Sequence, residues 1–365
     1  MRSLTLVLSL IVLLVGCTDT ESNGSMSSIV GQGEPEQQIQ YEPVVKGKHF
    51  IFPEDHLAHP GFRQEWWYLT ANLQTEDGRK LGIQWTQFRM ALGTKEVAKQ
   101  TPNHWRANQV YLAHSAVTDS ERHLASEKWS RQHKELAGVS GNPFTVWIDD
   151  WRWQSEGEKL LPAILSVDST EFSYELALTG DKPLQFQGEN GFSIKSADGS
   201  VASYYYSQPF IKVNGSVQVQ DEQLEVTGNA WLDREWSSQF LTDDQQGWDW
   251  FSLRLSDGST LMLFQLRSAN EDMEHFYSAK RMFPDGSGYS IDSSDVSMQV
   301  IKQQSIEGRD YPVGWQIEIP QEKISLRTRP LNPKAKMPLS IPYWEGPILI
   351  SGSHSGEGYM ELTGY

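Results

Sequence analysis

Two stretches of this chain repeat one unit, and the repeat limits what the chain can fold into. Trp66-Trp67-Tyr68 leads through Asn72-Leu73 to Asp77-Gly78 and on to Phe88-Arg89, and Trp248-Asp249-Trp250 leads through Arg254-Leu255 to Asp257-Gly258 and on to Leu266-Arg267. Each is a strand opened by aromatics, an Asp-Gly hairpin, and a second strand ending apolar-Arg. Asp-Gly suits a type I′ turn, whose two central residues both need positive φ. Period-two alternation puts Trp67, Leu69, Ala71 and Leu73 on one face of the first strand, and Met262, Phe264 and Leu266 on one face of the last. Asp198-Gly199 and Asp285-Gly286 mark further hairpins, and Ile348 to Ile350 and Tyr359 to Leu362 read as closing strands. Two related β units, each starting its own meander, fit this pattern better than one large sheet.

Length agrees. A globular part of about 320 residues exceeds what one hydrophobic core usually reaches. The boundary is expected near Val213-Asn214-Gly215, giving an N-terminal domain over 43–213 and a C-terminal domain over 214–365.

The N-terminus carries a separate message. Met1-Arg2 is a short basic start, and Leu4 to Val15 is an apolar run too short to span a bilayer as a mature helix. It ends Leu14-Val15-Gly16-Cys17, a small-residue site followed by the chain's single cysteine. The pattern looks like a bacterial lipoprotein signal over 1–16, with Cys17 lipidated; an ordinary secretory peptide is the alternative. Several acyl chains on one residue would anchor stably. Thr18 stands where an inner-membrane retention aspartate would be, so the expected place is the cell envelope, at the outer membrane and facing the periplasm. Residues 17–42, rich in Ser, Gly, Glu, Gln and Asn, cannot bury a core and read as a flexible tether.

A net charge of −16 disfavours nucleic acid and anionic lipid surfaces as partners, leaving the lipid anchor as the expected membrane contact. With Cys17 modified, no cysteine remains for a disulfide or thiolate site. His56 and His59 lie three apart near Asp55, which is weak evidence for zinc; Asp55-His56 reads better as hydrogen bonding within the loop that closes the first barrel. A glycine-rich phosphate loop, a Gly-x-Ser-x-Gly elbow and a dinucleotide fingerprint are all missing from the sequence. Serine hydrolysis therefore lacks support, and no metal or nucleotide cofactor is expected.

Four segments carry a family resemblance. They are Phe52 to Arg89 with Glu65-Trp66-Trp67-Tyr68 at its centre, Gly228 to Trp236, Gly247-Trp248-Asp249-Trp250, and the tail from Tyr343-Trp344-Glu345-Gly346 to Tyr365. Together they resemble the AttH branch of the AttH/carotenoid 1,2-hydratase family across roughly residues 45–365. The resemblance implies an all-β fold of two tandem lipocalin-like antiparallel β-barrels. Closed barrels and the cleft between them are places to hold an apolar ligand.

Asp233-Arg234-Glu235 sits between Trp231 and Trp236, and a carboxyl among aromatics is desolvated, which raises its pKa and suits a general acid. The hydratase branch implies such a role for Asp233: protonating an isoprenoid double bond so that water captures the cation. A Tyr and a His-x-Trp pair support the acid in that branch. Here Trp231, Tyr204 and Tyr206 stand in those places, different but still aromatic. Glu65 is a weaker catalytic candidate from the AttH pattern. The ligand-lining candidates are Trp66, Trp67, Tyr68, Tyr204, Tyr206, Trp231, Trp236, Trp248 and Trp250. The competing reading is structural, with Asp233, Arg234 and Glu235, joined by Arg89 or Arg267, forming a buried ion network that fastens the barrels.

Two functions follow as expectations. The first is an envelope lipoprotein binding a hydrophobic lipid- or isoprenoid-like molecule, partnered by an ABC transporter permease of the AttEFGH type, as the family resemblance implies. The second is a carotenoid 1,2-hydratase-like hydro-lyase or cyclase acting on an isoprenoid or polyene.

Overall fold

The computed structural model describes residues 41–92, 108–239, 241–242, 244–269 and 275–365. The expected signal sequence, Cys17 and the expected tether through residue 40 lie outside the described residues. The end of the tether does not: Tyr41 donates to Ala91 O at 3.0 Å, and Glu42 N to Gly61 O at 2.9 Å, so both dock on the first barrel.

The described chain is all-β, its helical pieces being three 3-10 turns. The first sheet comprises β1 (Gln64–Gln74), β2 (Lys80–Ala91), β3 (Gln109–Thr118), β4 (His123–Arg131), β5 (Ala137–Gly141), β6 (Phe144–Ile148), β7 (Trp151–Ser155), β8 (Ala163–Asp168), β9 (Phe172–Thr179), β10 (Gln185–Phe186), β11 (Phe192–Ile194), β12 (Ala202–Val219) and β13 (Glu222–Ser237). Its order is β4-β3-β2-β1-β13-β12-β9-β8-β7-β6-β5, every pairing antiparallel, with β10 and β11 added to β12. The sheet curls until its edges nearly meet. Lys128 of β4 reaches Asp149 at 2.9 Å, and Gln87 donates to Trp147 O at 2.9 Å.

The second sheet comprises β14 (Gln245–Leu255), β15 (Thr260–Ser268), β16 (Phe276–Met282), β17 (Gly288–Ile291), β18 (Ser297–Ile306), β19 (Arg309–Ile319), β20 (Ile324–Pro330), β21 (Lys336–Met337), β22 (Tyr343–Gly352) and β23 (Gly356–Leu362). Its order is β17-β16-β15-β14-β23-β22-β20-β19-β18, with β21 added to β22. The two lipocalin-like barrels are thus present, and the repeated unit starts each one as β1–β2 and β14–β15.

The division between them differs from the expected 213/214 boundary. Residues 213–215 lie in the middle of β12, which pairs with β9 on one side and β13 on the other. Gly215 reads as punctuation in sequence, yet it is a close-approach position: an added Cβ would stand 2.1 Å from Glu175 O. The strand pair around Gln218 and Leu224 to Val226 is the β12–β13 hairpin of the first barrel. The sheets part instead between Ser237 and Gln245.

The turn type differs too. Gly78 and Gly258 have φ of +85° and +86°, while Asp77 and Asp257 stay at negative φ. Gly78 N donates to Thr75 O and Thr75 N to Arg79 O, each at 3.0 Å. This is the three-residue hairpin with a left-handed glycine closing a bulge, not a type I′ turn. Asp257 uses its carboxylate to bind Ser259 N at 2.9 Å, which accounts for aspartate before the glycine.

Among the described residues four apolar clusters form, one of them a small cap of Phe62, Tyr204, Tyr206 and Trp236 on the first barrel, and three larger ones. Trp67, Leu69, Ala71 and Leu73 point into the first barrel, as alternation requires. Phe251, Leu253, Leu263 and Trp315 fill the second. The third cluster lies between the barrels, where Tyr68, Leu112, Tyr205 and Trp231 meet Trp248, Trp250, Met262, Phe264 and Tyr343. The shared face of Met262, Phe264 and Leu266 therefore looks at the neighbouring barrel.

Candidate functional site

The barrels join through paired strands whose two faces do different work. Register places Tyr68 opposite Asp233 and Trp66 opposite Glu235 between β1 and β13, and Ser207 opposite Asp233 and Tyr205 opposite Glu235 between β12 and β13. Directly opposed residues share a face, so Trp66, Tyr68, Tyr205, Trp231, Asp233 and Glu235 look toward the second barrel. Glu65, Trp67, Tyr204, Tyr206, Arg234 and Trp236 occupy the reverse face.

The face toward the second barrel borders a cavity of about 60 Å³. From the first barrel, Trp66, Tyr68, Phe88, Tyr205, Asp233 and Glu235 line it; from the second come Trp248, Trp250, Phe264, Tyr343, Glu345 and Glu361, with Lys195 at one side. That volume holds a few waters or one end of a ligand.

Asp233 sits on this wall with 3% of its surface exposed. It accepts hydrogen bonds from Tyr205 Oη and Trp231 Nε1, each 2.7 Å, and from Ser207 Oγ at 2.5 Å. Burial pushes its pKa up to about 7, against three donors that favour the anion; the charge of Glu235 adds to the rise. Trp250 Nε1 donates to Tyr205 Oη at 3.3 Å, which ties the Asp233 network to the second barrel. Asp233 can hold or release a proton near neutrality beside an aromatic wall.

Glu235 is paired. Lys195 Nζ lies 2.8 Å from it, Ser203 donates to it, and burial lowers the pKa of Lys195. Across the cavity, Glu345 and Glu361 are direct cross-strand partners on β22 and β23. Tyr68 donates to Glu345 Oε1 at 2.5 Å, while Oε2 is buried without a hydrogen-bond partner among the described residues. Desolvation, and then their mutual repulsion for Glu345, raises both carboxyls above the usual range.

The reverse face is a sealed cap for the first barrel. Glu65 is fully buried between Arg89 and Arg234, and His59 N donates to it at 2.8 Å. Desolvation opposes its ionisation, but the two guanidinium groups hold its pKa well below the usual carboxylate range. Arg234 also lies 3.9 Å from the centre of the Trp67 ring, and Trp236 stacks on His59 at 3.9 Å. Tyr204 exchanges hydrogen bonds of 2.9 Å with the backbone of Val45, and Tyr206 Oη meets His56 Nδ1 at 2.7 Å. Asp55 Oδ2 accepts from Ile51 N at 2.6 Å, so the loop role expected of Asp55 and His56 is seen. Among the described residues, no group of three or more His, Cys, Asp or Glu is arranged to hold a metal ion.

The structure thus divides the sequence candidates. Asp233, Trp66, Tyr68, Trp231, Trp248 and Trp250 gather around the cavity region. Glu65, Trp67, Tyr204, Tyr206 and Trp236 face the other way, into the first barrel or its cap. The expected ion network exists, but around Glu65, Arg89 and Arg234; Asp233 is outside it, and Arg267 pairs with Asp249 in the second barrel at 2.6 Å. It closes a barrel end instead of fastening two barrels. Sequence reading missed Tyr205, Lys195, Glu345 and Glu361. Alternation counted from Asp233 through its strand partner would have found Tyr205, and Glu345 and Glu361 lie in the tail motif that carried the resemblance.

These features define a two-barrel β protein with a carboxyl- and aromatic-lined chamber at the barrel junction. The chain belongs to the AttH-like family, whose model matches residues 43–365. The crystal structure of an AttH-type protein from Nitrosomonas europaea is similar, with 34% identity, 89% of this chain and 99% of the other covered, and a TM-score of 0.77. Kievitone hydratase from Nectria haematococca shares the fold at 13% identity, with 93% and 94% of the two chains covered and a TM-score of 0.65. No curated protein matches the chain in sequence.

Proposed function

We propose that the protein is an envelope lipoprotein that binds a largely hydrophobic small molecule, lipid- or isoprenoid-like, with one end seated between the barrels. The observation carrying this reading is a chamber walled by Trp66, Phe88, Trp248, Trp250 and Phe264 and floored by a few buried polar groups, the usual composition of a small-molecule site. Its size argues for one end of a long molecule entering, not the whole. Anchoring through Cys17, placement at the outer membrane facing the periplasm, and partnership with an ABC transporter permease belong to the same proposal and rest on the N-terminal sequence and the family resemblance.

The test is native mass spectrometry with organic extraction of protein purified from its own envelope fraction. A stoichiometric co-purifying apolar compound supports binding. An empty protein that takes up no apolar probe overturns it.

One observation favours a second reading, acid-catalysed hydration or cyclisation. Asp233 lies at the chamber with a pKa near 7, as a general acid for alkene protonation requires, and a hydratase shares the fold. In that step the Asp233 proton adds to one alkene carbon, the other becomes a cation, and water captures it and returns a proton. Incubating the extracted compound with wild type and Asp233→Asn separates the readings: turnover lost in the variant supports catalysis, and no turnover by wild type leaves binding alone.

A further inference from the structure

The chamber's charge is its least expected property. Among the described residues, four carboxyl groups line it, Asp233, Glu235, Glu345 and Glu361, against one cation, Lys195. Lys195 is matched to Glu235 at 2.8 Å. Among the described residues, no Lys, Arg or His nitrogen comes within 4.0 Å of the carboxylate oxygens of Asp233, Glu345 or Glu361.

Elsewhere the same fold neutralises its buried carboxylates with care. Glu65 has Arg89 and Arg234, and Asp249 has Arg267. These pairs sit one or two residues along the very strands that carry the chamber wall. Among the described residues, buried carboxyls without a cation are therefore confined to the chamber, not general to the barrel interiors.

The rest of the lining has the same polarity. Aromatic faces are negative, and Trp66, Trp248, Trp250 and Phe264 border the space. One corner shows what this combination accepts: the Lys195 ammonium lies 4.3 Å from the Phe264 ring centre and 4.9 Å from that of Tyr205, beside the Glu235 carboxylate. Ring faces and a carboxylate together hold a primary amine there. The opposite corner, at Glu345 and Glu361, repeats the carboxylates and rings without a lysine among the described residues, and Glu345 has only the hydroxyls of Tyr68 and Tyr343 beside it.

We propose that the ligand is a cation: an apolar amine whose ammonium sits among Asp233, Glu345 and Glu361 while its hydrocarbon body lies against the tryptophans. This rests on the reading that the chamber binds a small molecule, and it names the class. Burying a cation there lets these desolvated carboxyls give up their protons and ionise against it, which a neutral ligand of equal shape does not.

The test uses three probes of one shape, benzylammonium, benzyl alcohol and benzoate, titrated into the full chain at neutral pH and followed by tryptophan fluorescence and calorimetry. Benzylammonium is expected to bind at least about tenfold more tightly than benzyl alcohol, with benzoate undetected. In Glu345→Gln and Glu361→Gln that ratio falls toward one, and benzyl alcohol binding reports that each variant is folded. If wild type binds the alcohol as tightly as the amine, the cation proposal is overturned while the small-molecule site stands. If none of the three binds, the site itself is overturned, and the cation with it.

Discussion

Asp233 and Glu361 occupy equivalent positions in the two barrels. Asp233 on β13 lies opposite Tyr68 of β1, and Glu361 on β23 lies opposite Trp250 of β14. Tyr68 and Trp250 are the third residues of Trp66-Trp67-Tyr68 and Trp248-Asp249-Trp250. The same alignment brings Glu65 opposite Arg89 and Gly247 opposite Arg267, so it holds at the aromatic ends of both hairpins. Two copies of one β unit, packed with these strands face to face, place two acids at one junction. The chamber is thus a product of the internal repeat.

Asp233→Asn should make stability less pH-dependent. The folded pKa of about 7 lies above the ordinary 3.8, so the native state holds a proton that the unfolded chain releases between those values. Stability from this group is therefore lost as pH rises from about 4 to 7, by up to about 4 kcal/mol. Thermal unfolding should show the variant gaining on wild type across that window and then running parallel above pH 8. A constant gap from pH 4 to 8 would mean that Asp233 is not desolvated in solution.

Glu65→Gln should behave oppositely. Its folded pKa is depressed, so its contribution is present above the unfolded value and fades as pH falls below about 4. Near neutrality, removing it leaves Arg89 and Arg234 buried without their carboxylate, at a cost of about 3–5 kcal/mol. Chemical denaturation at pH 7 and pH 4 checks both parts. Because Glu65 faces away from the chamber, a folded fraction of the variant should still bind the probes.

Much of this fold was legible because β-sheets obey a period of two and hairpins announce themselves. The two hairpins, the barrel-facing set of Trp67, Leu69, Ala71 and Leu73, and the tandem architecture follow from that pattern. The boundary did not: Asn214-Gly215 looks like a linker, and only the β9 backbone beside it shows why glycine is required. The site was half legible. Asp233 and its aromatic neighbours stand out in sequence, but Tyr204, Tyr205 and Tyr206 are adjacent, and which one faces the acid depends on pairing with β13. Glu345 and Glu361 meet Asp233 only after the barrels dock, a long-range relationship that local periodicity does not encode.

The Lys195–Glu235 pair should be non-additive. Both partners are almost fully buried, so Lys195→Met or Glu235→Leu alone strands a charge and should cost about 3–5 kcal/mol, whereas the double variant should cost far less. A double-mutant cycle by urea denaturation measures the coupling. Additive losses would show that the two groups are solvated independently.

Gly82→Ala tests whether the barrels must touch closely for the site to exist. Gly82 lies on β2, on the second barrel's side, and an added Cβ would stand 2.5 Å from Pro347 Cγ and 2.8 Å from Tyr359 Oη. Both neighbours belong to β22 and β23, the strands that also carry Glu345 and Glu361. The methyl cannot be absorbed within the first barrel, because its obstacle is the other one. The barrels must separate locally or β22 must shift, at about 1–3 kcal/mol. Any such movement changes the distance from Glu361 to Asp233, so benzylammonium binding should weaken in parallel with the melting temperature. Unchanged binding with lowered stability would mean that the junction at Gly82 and the chamber relax independently, and that chamber geometry is set by the Tyr68–Glu345 and Trp250–Tyr205 contacts alone.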